Sequence, residues 1–154
     1  MDIYARLKEL GITLPPSPGA SGAYVLVNKI TDKLYYTSGC GCKKDGEFMY
    51  KGQCPRDFTI EQGQEAARQS ILNLLSNIEK EIGDLNRVKR IIKLLGFVSS
   101  TEDFGQQPKV MDGASKLLIE IFGEEAGKAA RSAIGTNNLP GNQAVEIEMI
   151  FEIE

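Results

Sequence analysis

The chain has 154 residues, with 18 basic and 21 acidic side chains, a net charge of -3, 42% hydrophobic and 25% charged content. That length is enough to bury a core in one domain, and the acidic balance argues against a nucleic-acid footprint, which needs a basic excess or face. No run approaches the ~20 apolar residues of a membrane span, and histidine is absent, which removes Ser-His and Cys-His dyads and the commonest metal ligand.

The N-terminal MDIYARLKEL places Ile3, Leu7 and Leu10 on one helical face and meets Gly11, a helix stop. It carries acids and resembles neither a signal nor a transit peptide. Three cysteines, an odd number, fit a reducing compartment better than a disulfide framework, so the chain reads as cytoplasmic. LPPSPGASG, Leu14 to Gly22, follows as a stiff linker in which proline blocks helix. Residues 1–18 therefore read as a helix plus Pro-rich linker, and 19–154 as a single domain.

Three strand-like runs come next: Ala23 to Ile30, Lys33 to Gly39 and Glu47 to Gly52. Thr31-Asp32 joins the first two as a hairpin, and Asp45-Gly46 is a turn before the third. Thr59 and Gln62 form a capping-box pattern. Ala67, Ile71, Leu74, Ile78 and Ile82 then repeat at helical spacing as far as Gly83. Val88 to Val98, rich in Ile, Leu and Val, reads as a central strand. A second long helix starts near Pro108, buries Met111, Ala114, Leu117, Leu118 and Ile121, and ends at Phe122-Gly123.

Two strands remain, Arg131 to Gly135 and Ala144 to Ile153. In the second, Val145, Ile147, Met149, Phe151 and Ile153 alternate with Glu146, Glu148, Ile150 and Glu152, so one face is core. Two long helices on one mixed sheet make a two-layer α+β sandwich.

Arg131 is a charge at the mouth of the apolar run Ser132-Ala133-Ile134. By spacing alone it is either a solvated strand-end arginine or a carboxylate anchor, its planar fork matching two carboxylate oxygens. Glu146 and Glu148 share one strand face, where glutamates are usually solvated. If the last two strands pair, Arg131 and Glu146 come close, and could position a substrate and a water. Cys40, Cys42 and Cys54 lack paired C-x-x-C knuckles, and without histidine they leave zinc short of a fourth ligand. The basic stretch of Arg87, Lys89, Arg90 and Lys93 has no interleaved aromatic to stack a base and reads as a solvated edge or interface. Tyr24, Tyr35 and Tyr36 are strand packing residues on pattern alone.

Together GASGAYV, YYTSG, the block from Gly63 to Val98 and the final ARSAIG…LP…VEIE resemble the reactive intermediate deaminase (Rid, or YjgF) family from about Gly19 to the C-terminus. The resemblance implies a chorismate-mutase-like fold, with two long helices on a mixed six-stranded sheet and the N-terminal helix as an addition. It implies a homotrimer with ligand clefts between subunits. The activity it implies is hydrolysis of 2-imino and enamine acids to 2-keto acids and ammonia, with no cofactor and a small carboxylate or imine metabolite as partner. In the family's order, Arg131 holds the substrate carboxylate, Glu146 orients or activates water, and Tyr24 and Ser38 line the cleft.

The chain also departs from the pattern. Ala23 replaces a proline, Cys40 follows Ser38-Gly39 where glutamine is usual, and Ala133 replaces a cysteine but keeps its backbone N–H. Asp112, with Ser115 three residues on, stands in place of an asparagine; an acid beside an anionic substrate is unfavourable unless it points away. Two other functions remain open at this point: a non-catalytic regulatory trimer holding a small carboxylate, and the endoribonuclease activity in the family's name, which the charge balance and the lack of histidine disfavour.

Overall fold

The computed structural model describes residues 1–154. Helix α1 (Ile3–Glu9) is capped by Asp2, whose carboxylate accepts the N–H groups of Tyr4 and Ala5. Two turns cannot hold a helix in water alone. Ile3 and Leu7 enter the main core, Arg6 Nε donates to the Glu120 carbonyl at 2.8 Å, and the Tyr4 hydroxyl donates to Glu79 at 2.7 Å. Gly11, at φ +66°, then turns the chain away.

Strands β1 (Val27–Lys29) and β2 (Leu34–Thr37) form the antiparallel hairpin expected across Thr31-Asp32. Three very short strands follow, β3 (Cys40–Gly41), β4 (Lys43–Lys44) and β5 (Glu47–Phe48). The expected third strand from Glu47 to Gly52 is not in the main sheet. β5 pairs only with β4, in a small separate ribbon. Beyond it the backbone is engaged elsewhere: Met49 N–H donates to Cys42, Ala144 N–H to the Tyr50 carbonyl, and Gly52 N–H to Asn142. The sixth strand of the sheet is instead β3, which lies against β8 (Val145–Ile153).

Helix α2 (Ile60–Ile82) begins with the capping box read from the sequence. Gln62 N–H donates to Thr59 Oγ1 at 3.1 Å, and Thr59 N–H to Gln62 Oε1 at 2.9 Å. It ends at Gly83, which takes the left-handed conformation at φ +81°. Strand β6 (Val88–Ser99) leads through α3 (Gln107–Gly127) to β7 (Ala130–Thr136). Pro108 sits in the first turn of α3, and Gly123, at φ +82°, interrupts the helix where the sequence places its end. β6 and β7 are the one parallel pair, as a helical crossover requires.

The main sheet runs β1-β2-β8-β6-β7, with β3 added beside β8. The last two strands therefore do not pair with each other; β6 lies between them. This follows from the crossover: α3 returns the chain beside β6 in parallel, and the remaining edge of β6 is taken by β8. Both long helices cover one face. Val145, Ile147, Met149, Phe151 and Ile153 point into that layer and are at most 1% exposed. The helices pack tightly at Gly113, where a Cβ would lie 2.3 Å from the Gln64 carbonyl oxygen.

The opposite face of the sheet has no layer over it. Leu95, Phe97 and Ile150 there are only half-buried, and Ile134 is 47% exposed.

Candidate active site

Register decides which side chains meet, because residues directly opposite each other on neighbouring strands share a face. Arg131 is opposite Leu94, and Leu94 is opposite Met149; both apolar partners are core residues under the helices. Arg131 therefore leaves β7 on the helix side, at the sheet's outer strand. There it meets α3. Its Nη1 donates to Asp112 Oδ1 at 2.9 Å and to Ser115 Oγ at 3.1 Å. Ala133, opposite Gly96, lies on the same face two residues along.

Asp112 thus does not point away from the guanidinium but is paired to it. Both bonds leave from Nη1, so the Nε–Nη2 edge, which matches two carboxylate oxygens, is uncommitted. The Arg131 side chain is 23% exposed and that of Asp112 42%. This half of the site is open to a small molecule.

Glu146 is opposite Phe97, one residue off the core register, and so occupies the uncovered face. Arg131 and Glu146 are separated by two strand spacings across and three residues along, about 14 Å between Cα atoms, on opposite faces of one sheet. They do not meet within a chain.

Glu146 has its own surroundings. Burial, and then the neighbouring Glu148 charge, hold its carboxyl above the usual carboxylate range. A Cβ at Gly39 would fall 2.6 Å from Glu146 Oε1, so the glycine leaves room for the carboxylate. Cys40 lies on β3 beside it. Burial, and then Glu146 and Cys42, push that thiol up to about 12, so it is no nucleophile near neutral pH.

The Tyr36 hydroxyl donates to Glu148 across the uncovered face, and this bond is the main cause that raises the tyrosine's own titration. Sequence pattern assigned Tyr36 to packing. Its role as a partner of Glu148 depends on β2 lying against β8, a long-range pairing with no local signal.

Ser38 donates its hydroxyl to the Val25 carbonyl at 2.6 Å, which fixes the segment before β1. Tyr24 in that segment is 51% exposed, its hydroxyl 3.3 Å from Ser21 Oγ. The proposed residues thus fall into two half-sites. Arg131, Asp112, Ser115 and Ala133 gather at the β7–α3 edge; Glu146, with Glu148, Tyr36 and Gly39, lies on the uncovered face. Cys42 and Cys54 are fully buried in the core, and no three His, Cys, Asp or Glu side chains converge on a point that could hold a metal ion. No helix is long and apolar enough to cross a membrane.

Comparison with known proteins places these half-sites in context. The matching family model, YjgF/chorismate mutase-like with endoribonuclease as the activity in its name, spans residues 4–153. Protein TCP17 of Trypanosoma cruzi is 38% identical over 151 residues, which cover 98% of this chain and 94% of that one. The crystal structure of Atu1372 from Agrobacterium tumefaciens is 38% identical and superposes with a TM-score of 0.89, covering 99% of this chain and 92% of the other. At greater distance, E. coli TdcF, solved with bound serine, shares the fold at 24% identity and a TM-score of 0.62, over 90% of this chain and 94% of that one.

Proposed function

The chain belongs to the YjgF/chorismate mutase-like family, and on that premise we propose that it hydrolyses reactive 2-imino or enamine acids to 2-keto acids and ammonia in a cleft between subunits of a homotrimer. The observation that carries this reading is the division of the site. A carboxylate anchor, Arg131, and a desolvated carboxyl, Glu146, lie on opposite faces of one sheet. One of those faces is uncovered and partly apolar. A second copy covering that face brings the Glu146 of one subunit toward the Arg131 edge of another.

In such a cleft the Nε–Nη2 edge of Arg131 holds the substrate carboxylate. Water, hydrogen-bonded to ionised Glu146, attacks the electrophilic carbon of the C=N bond as the carboxylate takes its proton, giving a carbinolamine. Glu146 returns that proton to nitrogen, the C–N bond breaks, and ammonia leaves as the carbinolamine hydroxyl gives its proton to the freed carboxylate and the carbonyl forms. The chemistry needs orientation and a base, the latter worth about 10²–10⁴-fold.

Imine hydrolysis by the wild type, Arg131→Ala and Glu146→Gln tests the assignment. Loss of the anchor lowers kcat/KM by about ten- to a hundredfold, and loss of the base lowers kcat by about 10²–10⁴-fold. Wild-type rates in both variants remove these roles.

The altered pocket, with Asp112 paired to Arg131, motivates a second reading, a trimer that holds a small carboxylate-bearing metabolite without turning it over. Asp112 already satisfies part of Arg131 and offsets its charge. Calorimetric binding of a small amino or keto acid with no turnover of any imine would select this reading over the first.

A further inference from the structure

The Arg131 guanidinium is shared before any ligand arrives. Asp112 Oδ1 accepts from Nη1 at 2.9 Å and Ser115 Oγ from the same nitrogen at 3.1 Å. Lys116, one turn further along α3 and fully able to reach solvent, forms no ion pair with Asp112. The Arg131–Asp112 pair is therefore electrically neutral by itself. A ligand whose only charge is a carboxylate would place a second anion against Asp112, and like charges at contact distance oppose binding. Yet the pair is not closed: the Nε–Nη2 edge of Arg131 is free, and Asp112 holds its arginine through one oxygen only, with Oδ2 uncommitted and the side chain 42% exposed. The site presents a two-point donor edge beside a bare anionic acceptor.

We propose that Asp112 makes this cleft selective for zwitterionic ligands, small acids that carry a protonated nitrogen on the carbon next to the carboxylate, over acids that carry a carbonyl there. The carboxylate lies on the Nε–Nη2 edge and the N–H of the cationic nitrogen donates to Asp112 Oδ2. The two groups of an α-amino or protonated 2-imino acid are joined through a single carbon, which suits an acceptor already within hydrogen-bond distance of the guanidinium. The inference rests on the Arg131 anchor proposed above and extends it to the chemical class of the ligand. It has a consequence for turnover: hydrolysis replaces the cationic nitrogen by a carbonyl oxygen, which cannot donate to Asp112, so the site holds the product less tightly than the substrate.

L-Alanine and pyruvate test this, because they share a carbon skeleton and differ in having an ammonium or a carbonyl beside the carboxylate. Titration calorimetry on the full-length protein is expected to show alanine binding about tenfold more tightly than pyruvate. In Asp112→Asn, with its assembly state checked by light scattering, pyruvate affinity rises and alanine affinity falls, so the preference is lost or inverted. Arg131→Ala weakens both ligands. Pyruvate equal to or tighter than alanine in the wild type, or no alanine binding at all, overturns the proposal, and this comparison needs no variant. An unchanged preference in a correctly assembled Asp112→Asn overturns it as well, leaving the Arg131 anchor intact. Wild-type affinity for both ligands in Arg131→Ala instead overturns the anchor itself.

Discussion

Glu146 and Glu148 are two residues apart on one strand face, yet their surroundings differ. Glu148 accepts the Tyr36 hydroxyl, whereas Glu146 has burial and a neighbouring anion, both of which disfavour its charge. If Glu146 is the base it must be ionised to act, so activity is lost as pH falls through a titration lying above the ordinary carboxylate range. Replacing Glu148 with Gln removes the like charge and lowers the Glu146 carboxyl, which moves the acid limb of the kcat/KM profile to lower pH. Burial is the larger cause and remains, so the limb keeps part of its displacement. A limb that does not move in Glu148→Gln means that another group titrates. Arg131 and Glu146 could be singled out in the sequence only through the family's order of motifs, since each alone reads as an ordinary strand-end charge. The Asp112 contact was not legible at that level, because it depends on the rotational setting of α3 against β7.

Elements were legible where local chemistry specified them. The Thr59 and Gln62 capping box, the Gly83 stop, the Pro108 start and the alternation of β8 are all encoded within a few residues. Thr59→Ala should accordingly cost about 1 kcal/mol of stability in denaturant unfolding, and an unchanged midpoint would mean the cap is replaced by water. Failures came where long-range pairing decides. β3 is only two residues long and leaves no pattern, while the Glu47 to Gly52 run looks like a strand but gives its backbone to Cys42 and the loop before β8. The α2–α3 crossing is likewise invisible to periodicity. At Gly113 an added methyl meets rigid backbone, the Gln64 carbonyl at 2.3 Å, whereas at Gly96 it meets the flexible Met111 side chain. Gly113→Ala is therefore expected to destabilise by about 1–3 kcal/mol, and Gly96→Ala by less. Because Gly113 follows Asp112, the first change should also weaken ligand binding; equal stability for the two variants would contradict the tight crossing.

For the molecule as a whole, the arrangement of strands matters more than the identity of any residue. With β6 between β7 and β8, Arg131 and Glu146 are separated by about 14 Å and a sheet. The adjacency expected from their order in the chain does not exist within one copy. The half-buried Phe97, Leu95 and Ile150 and the exposed Ile134 provide an apolar surface for another copy to cover. This makes a prediction that separates a shared cleft from a site contained in one subunit. Arg131→Ala subunits retain Glu146, and Glu146→Gln subunits retain Arg131; in the proposed trimer each variant alone is strongly impaired. If every cleft takes its arginine from one subunit and its glutamate from the next, random mixing in equal amounts rebuilds intact clefts whenever an Arg131-bearing subunit precedes a Glu146-bearing one. A cyclic trimer that contains both variants has one such junction among its three clefts, so about a third of the clefts, and of the wild-type rate, should return in mixed assemblies. Co-expression of the two variants with different affinity tags, followed by an imine hydrolysis assay on the doubly purified assemblies, measures this. Mixed assemblies no more active than the parent variants would mean that both residues serve the same subunit, and the intersubunit cleft would have to be abandoned.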